Sequence, residues 1–172
     1  DECFLDFAAG REALTAKAFL QEYPNLILFK AFTKLYAMAG VRLGYALCSD
    51  TALLKKMRTA GQPWAVSALA QAAGTAALDE AAYADAVRAL VAQQRPVLTS
   101  GLRALGLRVI EGSANFLLFC APADLGQKLR QRGAVVRSCG NYPGLDATWY
   151  RTAVRTEAEN RQLLRLIKEV LE

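Results

Sequence analysis

The stretch that decides the fold reads KAFTKLYAMAGVRLGY over residues 30–45. It places Lys34 among apolar and aromatic neighbours, eight positions before Arg42, in a turn that contains Gly40 and Gly44. Such neighbours predict partial desolvation of Lys34, which favours the neutral, nucleophilic amine. The planar guanidinium of Arg42 can bind two phosphate oxygens, and the glycines allow close approach of the backbone. The spacing therefore predicts a site for an aldehyde cofactor that carries a phosphate.

This stretch resembles the lysine motif of fold-type I pyridoxal-phosphate enzymes, in the branch that contains histidinol-phosphate aminotransferases and threonine-phosphate decarboxylases. The resemblance implies that Lys34 bonds covalently to pyridoxal 5'-phosphate and that Arg42 binds the cofactor phosphate. A small hydroxyl residue usually stands three positions before the lysine, where this chain has Ala31. Thr33, directly before the lysine, is therefore the candidate for the hydroxyl contact to the cofactor.

The first residues of the chain resemble a second motif of the same family, an Asp-Glu-Ala-Tyr segment at the end of a strand. Asp1 matches the aspartate that pairs with the protonated pyridine nitrogen of the cofactor, and this pairing keeps the ring able to accept electrons. Phe4 stands where aminotransferases usually have a tyrosine that hydrogen-bonds the cofactor's phenolic oxygen. That departure favours the decarboxylase side of the branch.

Three further segments, at residues 62–70, 114–118 and 136–146, extend the resemblance to threonine-phosphate decarboxylases over nearly the whole chain. The resemblance implies decarboxylation of L-threonine O-3-phosphate to (R)-1-amino-2-propanol O-2-phosphate in cobalamin biosynthesis. A histidinol-phosphate-type aminotransferase remains the alternative, because residue types do not fix which bond at the substrate α-carbon breaks.

The chain lacks an initiator methionine, and its first residue already lies within a family motif. We therefore expect it to be the carboxy-terminal part of a longer polypeptide. The resemblance places other cofactor-binding residues of the family before this point. An inactive fragment without the amino-terminal half of the site is accordingly a second alternative.

Two arginines are candidates for substrate binding. Alternation along residues 150–154 predicts a strand that turns Arg151 to the face opposite its buried neighbours. The resemblance implies that Arg151 binds the substrate α-carboxylate, and Arg137 is the candidate for the substrate phosphate. Arg155 has no assigned role, because the aminotransferase relatives often have glycine there, whereas the decarboxylase pattern has arginine.

Composition excludes several classes of function. The 172 residues are 53% hydrophobic, which is enough for one or two compact cores. The chain has no histidine, so Ser-His or Cys-His nucleophilic machinery and histidine metal sites are excluded. The formal charge of +5 suits anionic phosphorylated ligands, whereas the dispersed basic residues argue against nucleic-acid binding.

The cysteines and the hydropathy pattern predict a cytoplasmic enzyme without a membrane segment. The four cysteines are widely spaced and form no C-x-x-C pair, which favours a reducing compartment. No apolar run reaches the roughly 18 to 20 residues that a bilayer requires. We expect a phosphorylated amino-acid substrate, no metal, and a homodimer in the full-length protein.

Alternation of short apolar strands with helices predicts an α/β fold, the carboxy-terminal part of a fold-type I enzyme. We predict the end of the large cofactor-binding domain at residues 1–82, a connecting helix at 83–104 and a small α/β domain at 105–172. Strands are predicted at 25–31, 42–48, 107–110, 115–120, 134–137 and 149–154, and helices at 51–59, 67–78, 81–104, 123–131 and 157–171.

Overall fold

The computed structural model describes all residues from Asp1 to Glu172. They form two compact units, Asp1–Val87 and Arg88–Glu172. Each unit combines one antiparallel sheet with helices, and the boundary between the units falls within a long helix. No helix of the structure is both long enough and apolar enough to cross a lipid bilayer.

The sheet of the first unit consists of β1 (Leu28–Ala31) and β2 (Gly44–Leu47), which pair antiparallel. A Cβ at position 44 would lie 2.9 Å from the carbonyl oxygen of Lys30, so the close approach of the two strands requires glycine there. The chain passes directly from β1 into the short helix α2 (Phe32–Leu35). This strand-to-helix transition therefore places the lysine motif at one end of the sheet.

Two helices of the first unit begin where polar side chains cap them. The side chain of Asp50 accepts hydrogen bonds from the N–H groups of Ala52 and Leu53 at 2.8 and 3.0 Å. Ser67 accepts one from the N–H of Ala70 at 3.1 Å. Both caps satisfy donors that have no partner within the helix. The helices of this unit outside the lysine motif are α1 (Arg11–Leu14), α3 (Thr51–Ala60) and α4 (Ala68–Leu78).

Helix α4 packs against the turn that precedes β2. A Cβ at Gly74 would overlap the Cδ2 atom of Leu43, so the helix can approach this turn only because position 74 has no side chain. Leu43 directly follows Arg42. The contact therefore supports the turn that carries the predicted phosphate ligand.

The second unit contains a four-stranded antiparallel sheet in the order β3-β4-β6-β5. The strands are β3 (Arg108–Ile110), β4 (Phe116–Cys120), β5 (Arg137–Ser138) and β6 (Trp149–Ala153). Alternate residues of β4 and β6 are buried, so one face of the sheet covers the core. The largest fully buried side chains of this core are Leu98, Leu102, Leu117, Phe119, Leu125, Leu129, Tyr150 and Ile167.

Three helices complete the fold, namely α5 (Ala81–Ala104), α6 (Leu125–Gln131) and α7 (Glu157–Leu171). Helix α5 has the predicted length and contains the predicted connecting segment 83–104. The role of that segment as a connector, and the domain boundaries drawn from it, stay predictions.

The start of α7 forms a capping box. Thr156 and Glu159 satisfy each other's backbone N–H groups at the first turn of the helix. Hydrogen bonds from Arg155 and from Thr156 lower the pKa of the Glu159 carboxyl to about 2. The carboxylate is therefore ionised at neutral pH and keeps the helix start in place.

The predicted strands are present, and they differ from the predictions at their ends. The strand predicted over 42–48 begins only at Gly44. Arg42 adopts a left-handed backbone conformation with φ of 59°, which no strand residue adopts. The turn therefore extends further than the apolar pattern indicates.

A second difference concerns the strand predicted over 134–137, which is confined to Arg137–Ser138. The N–H of Ala134 donates to the carbonyl of Leu129 at 3.0 Å and so completes the end of α6. Because the N–H of Ala134 already donates to a carbonyl at the end of the helix, it cannot donate to a neighbouring strand. The strand consequently starts later.

Candidate active site

Lys34 lies on helix α2, and its side chain is exposed. Its Nζ atom stands 5.2 Å from the centre of the Phe4 ring. The helix turns Phe32 and Leu35 into the core and leaves Lys34 on its outer side. The partial desolvation predicted for Lys34 is therefore wrong in this structure, because the apolar neighbours in sequence point away from the amine. The exposed amine is accessible to a ligand.

Lys30, four positions earlier, has a different environment. Its Nζ lies 2.9 Å from Oδ1 of Asp6 and 3.9 Å from Oε2 of Glu2. Burial by itself lowers the pKa of Lys30, but the hydrogen bond and negative charge of Asp6, with the charge of Glu2, raise that pKa above its ordinary value. Lys30 is therefore a protonated, ion-paired lysine and a poor nucleophile.

Arg42 ends a short 3-10 turn, Ala39–Val41, that leads into β2. Its guanidinium is exposed, and Nη1 donates to the carbonyl of Ala39 at 3.3 Å. Ala37 in the same turn also has a positive φ, of 54°. Two left-handed residues other than glycine within six positions are unusual, and such strain is concentrated at functional sites.

Asp1 and Thr33 are the other two residues predicted to contact the cofactor. Asp1 is exposed, and its Oδ1 accepts a hydrogen bond from the N–H of Cys3 at 2.8 Å. The N–H of Glu2 donates to the carbonyl of Phe29 at 2.8 Å, which holds the first residues beside β1. Thr33 is half-buried on α2, directly before Lys34. All four predicted cofactor contacts thus lie in the first unit.

The two predicted substrate arginines are direct neighbours in the sheet of the second unit. Arg137 of β5 is paired opposite Arg151 of β6, so their side chains lie on the same face. This face is opposite the one that covers the core, because Tyr150 and Thr152 on either side of Arg151 are buried. Like charges directly opposite each other are unfavourable unless an anion lies between them.

Arg151 is further held by an aromatic ring. Its guanidinium carbon lies 4.9 Å from the centre of the Phe116 ring, at the start of β4. Arg95 of helix α5 fixes this strand start, because its Nη1 donates to the carbonyls of Ala114 and of Phe116, the latter at 2.7 Å. Burial lowers the pKa of Arg95. The sequence did not predict either contact, since both join segments distant along the chain.

The residues present fit pyridoxal phosphate by their chemistry. The aldehyde requires a primary amine, which the exposed Lys34 offers. The phosphate requires a positively charged side chain, and Arg42 provides an exposed guanidinium group on a turn. The pyridine nitrogen requires a carboxylate, and Asp1 is exposed in the same unit.

Comparison with known proteins gives the family. Residues 1–167 match the family described as aminotransferase class I and II. This chain belongs to that family. Its members are pyridoxal-phosphate-dependent enzymes, and pyridoxal phosphate is therefore the cofactor of this family's site.

Two curated relatives represent both activities of the predicted branch. Threonine-phosphate decarboxylase of Salmonella typhimurium strain LT2 is 37% identical over 175 residues, which cover 99% of this chain and 48% of the relative. Histidinol-phosphate aminotransferase of Symbiobacterium thermophilum is 35% identical over 174 residues, which cover 99% of this chain and 47% of the relative. The chain spans about half the length of the curated relatives it matches.

A solved structure agrees with the fold and with the cofactor. Histidinol-phosphate aminotransferase from Sinorhizobium meliloti in complex with pyridoxal-5'-phosphate matches this chain with a TM-score of 0.82 and 26% identity. The match covers 99% of this chain and 47% of that one. The prediction of an α/β fold, the carboxy-terminal part of a fold-type I enzyme, is confirmed.

The separate positions of Arg42 and Asp1 predict different defects for their alanine variants in the full-length protein. Arg42→Ala should weaken cofactor retention about ten- to a hundredfold, because a charge-assisted hydrogen bond to phosphate is lost. Asp1→Ala should retain the cofactor and slow bond cleavage, because the ring nitrogen loses its anionic partner. Equilibrium dialysis and single-turnover rates measure the two effects. Equal cofactor loss in both variants would contradict this assignment.

Proposed function

We propose that the full-length protein is a pyridoxal-phosphate-dependent lyase that decarboxylates L-threonine O-3-phosphate to (R)-1-amino-2-propanol O-2-phosphate in cobalamin biosynthesis. The observation that supports this function most is the pairing of Arg137 opposite Arg151 on one face of the sheet. Two arginine side chains on one face of the sheet suit a substrate with two anionic groups, here a carboxylate and a phosphate.

Each site residue has a separate task in this proposal. Lys34 would hold the cofactor through its primary amine and would carry a proton at Nζ during the reaction. Arg42 binds the cofactor phosphate, with Thr33 as a hydroxyl contact, and Asp1 pairs with the ring nitrogen. When bound, pyridoxal phosphate supplies an electron sink for the pair released at the substrate α-carbon.

The arginines of the second unit decide which substrate is held and how it is oriented. In the proposal Arg151 binds the α-carboxylate and Arg137 binds the substrate phosphate. The ring of Phe116 limits the movement of Arg151, because the guanidinium lies 4.9 Å from the ring centre. A fixed guanidinium orients the carboxylate, and orientation selects the bond that breaks.

A histidinol-phosphate-type aminotransferase is the second candidate. The relatives with the two activities differ by only two percentage points in identity to this chain, 37% against 35%, so identity does not separate them. Phe4 supports the decarboxylase, because it cannot make the hydrogen bond that a tyrosine at this position makes in aminotransferases. A third possibility is that the 172 residues by themselves form an inactive fragment.

Incubation of the loaded full-length protein with threonine phosphate tests the choice between these functions. The proposal predicts release of one carbon dioxide per substrate and no accumulation of pyridoxamine phosphate. Accumulation of pyridoxamine phosphate without carbon dioxide would favour the aminotransferase. For the 172-residue chain alone, a visible absorbance band that borohydride abolishes distinguishes an active site from an inert fragment.

Cytoplasmic location and a homodimer are also part of the proposal. All four cysteines, Cys3, Cys48, Cys120 and Cys139, are free thiols, which suits a reducing compartment. Trp64 is 95% exposed and Leu69 is 83% exposed in the first unit. Large apolar side chains exposed to this extent are typical of surfaces that another protein covers, and a second copy of the chain is the proposed partner.

A further inference from the structure

A compact group of charges joins the first residues of the chain to β1. We call it the Lys30 cluster and define it as Lys30, Glu2 and Asp6. The side chains are mostly buried, with 17% of Lys30, 11% of Glu2 and 24% of Asp6 exposed. The Nζ of Lys30 lies 2.9 Å from Asp6 and 3.9 Å from Glu2, so one cation bridges two carboxylates. Partly buried pairs of this kind depend on both partners being present.

Glu2 is anchored at further points besides Lys30. Its carboxylate accepts hydrogen bonds from the Thr15 hydroxyl at 2.9 Å and from the N–H of Ala16 at 2.9 Å. Its own N–H donates to the carbonyl of Phe29 at 2.8 Å. Glu2 is thus held between β1 and the residues that follow α1, and Asp6 is held by Lys30.

The short segment between these two anchors carries residues that matter for the candidate active site. Phe4 lies between Glu2 and Asp6 in sequence, and its ring is 5.2 Å from the Nζ of Lys34. Asp1, the predicted partner of the pyridine nitrogen, directly precedes Glu2. Movement of the segment would therefore displace both groups relative to Lys34.

We propose that Lys30 is a positioning residue that holds Asp1 and Phe4 in place opposite the reactive amine of Lys34. The inference rests on the proposed function, because it assigns Asp1 and Lys34 to the cofactor. Lys30 acts only through the segment that it anchors and does not contact the cofactor.

The charge balance of the cluster explains why a cation is required at position 30. Without it, the carboxylates of Glu2 and Asp6 would lose the cation that bridges them in a mostly buried place, and their mutual repulsion would increase. Tyr45 is the other titratable group that interacts with Lys30, and burial raises the pKa of its hydroxyl, so it is neutral near pH 7. It therefore cannot replace the missing cation.

Three substitutions in the full-length protein loaded with pyridoxal phosphate test the inference. Lys30→Met removes the cation and keeps an unbranched side chain, whereas Lys30→Arg keeps the charge. Asp6→Asn removes one carboxylate with little change in volume and provides a second way to weaken the cluster. Lys17→Met is the matched control, because Lys17 is exposed and lines a cavity of about 170 Å³ that the Lys30 cluster also lines.

Three measurements are made on each variant and on the unsubstituted protein. Hydrogen exchange reports the mobility of residues 1–7, dialysis reports the cofactor dissociation constant, and a pH titration of the visible absorbance band reports the surroundings of the cofactor ring. For Lys30→Met and Asp6→Asn we expect about tenfold faster exchange at residues 1–7. We also expect about tenfold weaker cofactor binding and a shifted midpoint of the absorbance titration. In Lys30→Arg the exchange rate, the dissociation constant and the titration midpoint should all stay close to those of the unsubstituted protein. Lys17→Met should leave them unchanged as well.

The outcomes separate this inference from the proposed function. Unchanged exchange at residues 1–7 in Lys30→Met and Asp6→Asn would overturn the anchoring role. Faster exchange with an unchanged dissociation constant and titration midpoint would show that the cluster is structural only, and would also overturn the inference. Failure of the unsubstituted protein to carry the cofactor on Lys34 would instead overturn the proposed function, and the positioning role with it.

Discussion

Lys34→Ala in the full-length protein is expected to abolish covalent attachment of pyridoxal phosphate and to remove the visible absorbance band. Loss of proton transfer by the amine alone should lower the rate of the reaction about 10²- to 10⁴-fold. Arg42 and Asp1 remain in this variant, so non-covalent binding of the cofactor should persist at reduced affinity. Absorbance spectra and decarboxylation rates measure these effects.

Borohydride reduction followed by mass mapping identifies the lysine directly. We expect the label on the peptide that contains Lys34. Lys30 is the most informative competitor, because it lies four positions away but is bound by Asp6 at 2.9 Å and held in the protonated form. Lys30→Arg should therefore leave labelling intact. A label on Lys17, Lys30, Lys55 or Lys56 would contradict the assignment.

Alanine variants of the two paired arginines are expected to fail in different ways. Arg137→Ala should lose the preference for threonine phosphate over unphosphorylated threonine, because it removes the proposed phosphate ligand. Arg151→Ala should weaken the binding of both amino acids alike, since both carry the carboxylate. A charge-assisted hydrogen bond contributes roughly 1.5 to 3 kcal/mol, so each loss should be about ten- to a hundredfold in affinity.

Arg108 provides a matched control for this experiment. Its guanidinium carbon lies 5.4 Å from the centre of the Trp149 ring, and Trp149 is two positions from Arg151 on β6 and so on the same face of the sheet. Arg108→Ala removes an equal charge from that face and should keep the phosphate preference. If Arg137→Ala also keeps the full preference, the substrate phosphate binds elsewhere and the decarboxylase proposal loses its main support.

Local patterns were sufficient to predict most of the fold. Short apolar runs predicted the strands, and period-two alternation predicted the last of them, at residues 150–154. The capping box of Thr156 and Glu159 fixes the start of α7 at Glu157. The spacing between Lys34 and Arg42 indicated the family, which the comparisons confirm. These features depend on residues close together in sequence, where backbone propensity and side-chain spacing determine the outcome.

The limits of local patterns appear at Lys34. Apolar neighbours in sequence predicted a desolvated lysine, but the orientation of α2 buries Phe32 and Leu35 and exposes Lys34. Burial depends on which face of a helix meets the core, and four residues are too few to show an amphipathic period.

The sequence by itself thus determined the family, the order of the elements and the identity of the candidate lysine. Only the tertiary structure distinguished the ion-paired Lys30 from the accessible Lys34 and placed Arg137 opposite Arg151. The physical reason is that these contacts join residues distant along the chain, such as Asp6 with Lys30, 24 positions apart. Strand register and chain packing set such contacts, and no local propensity encodes them.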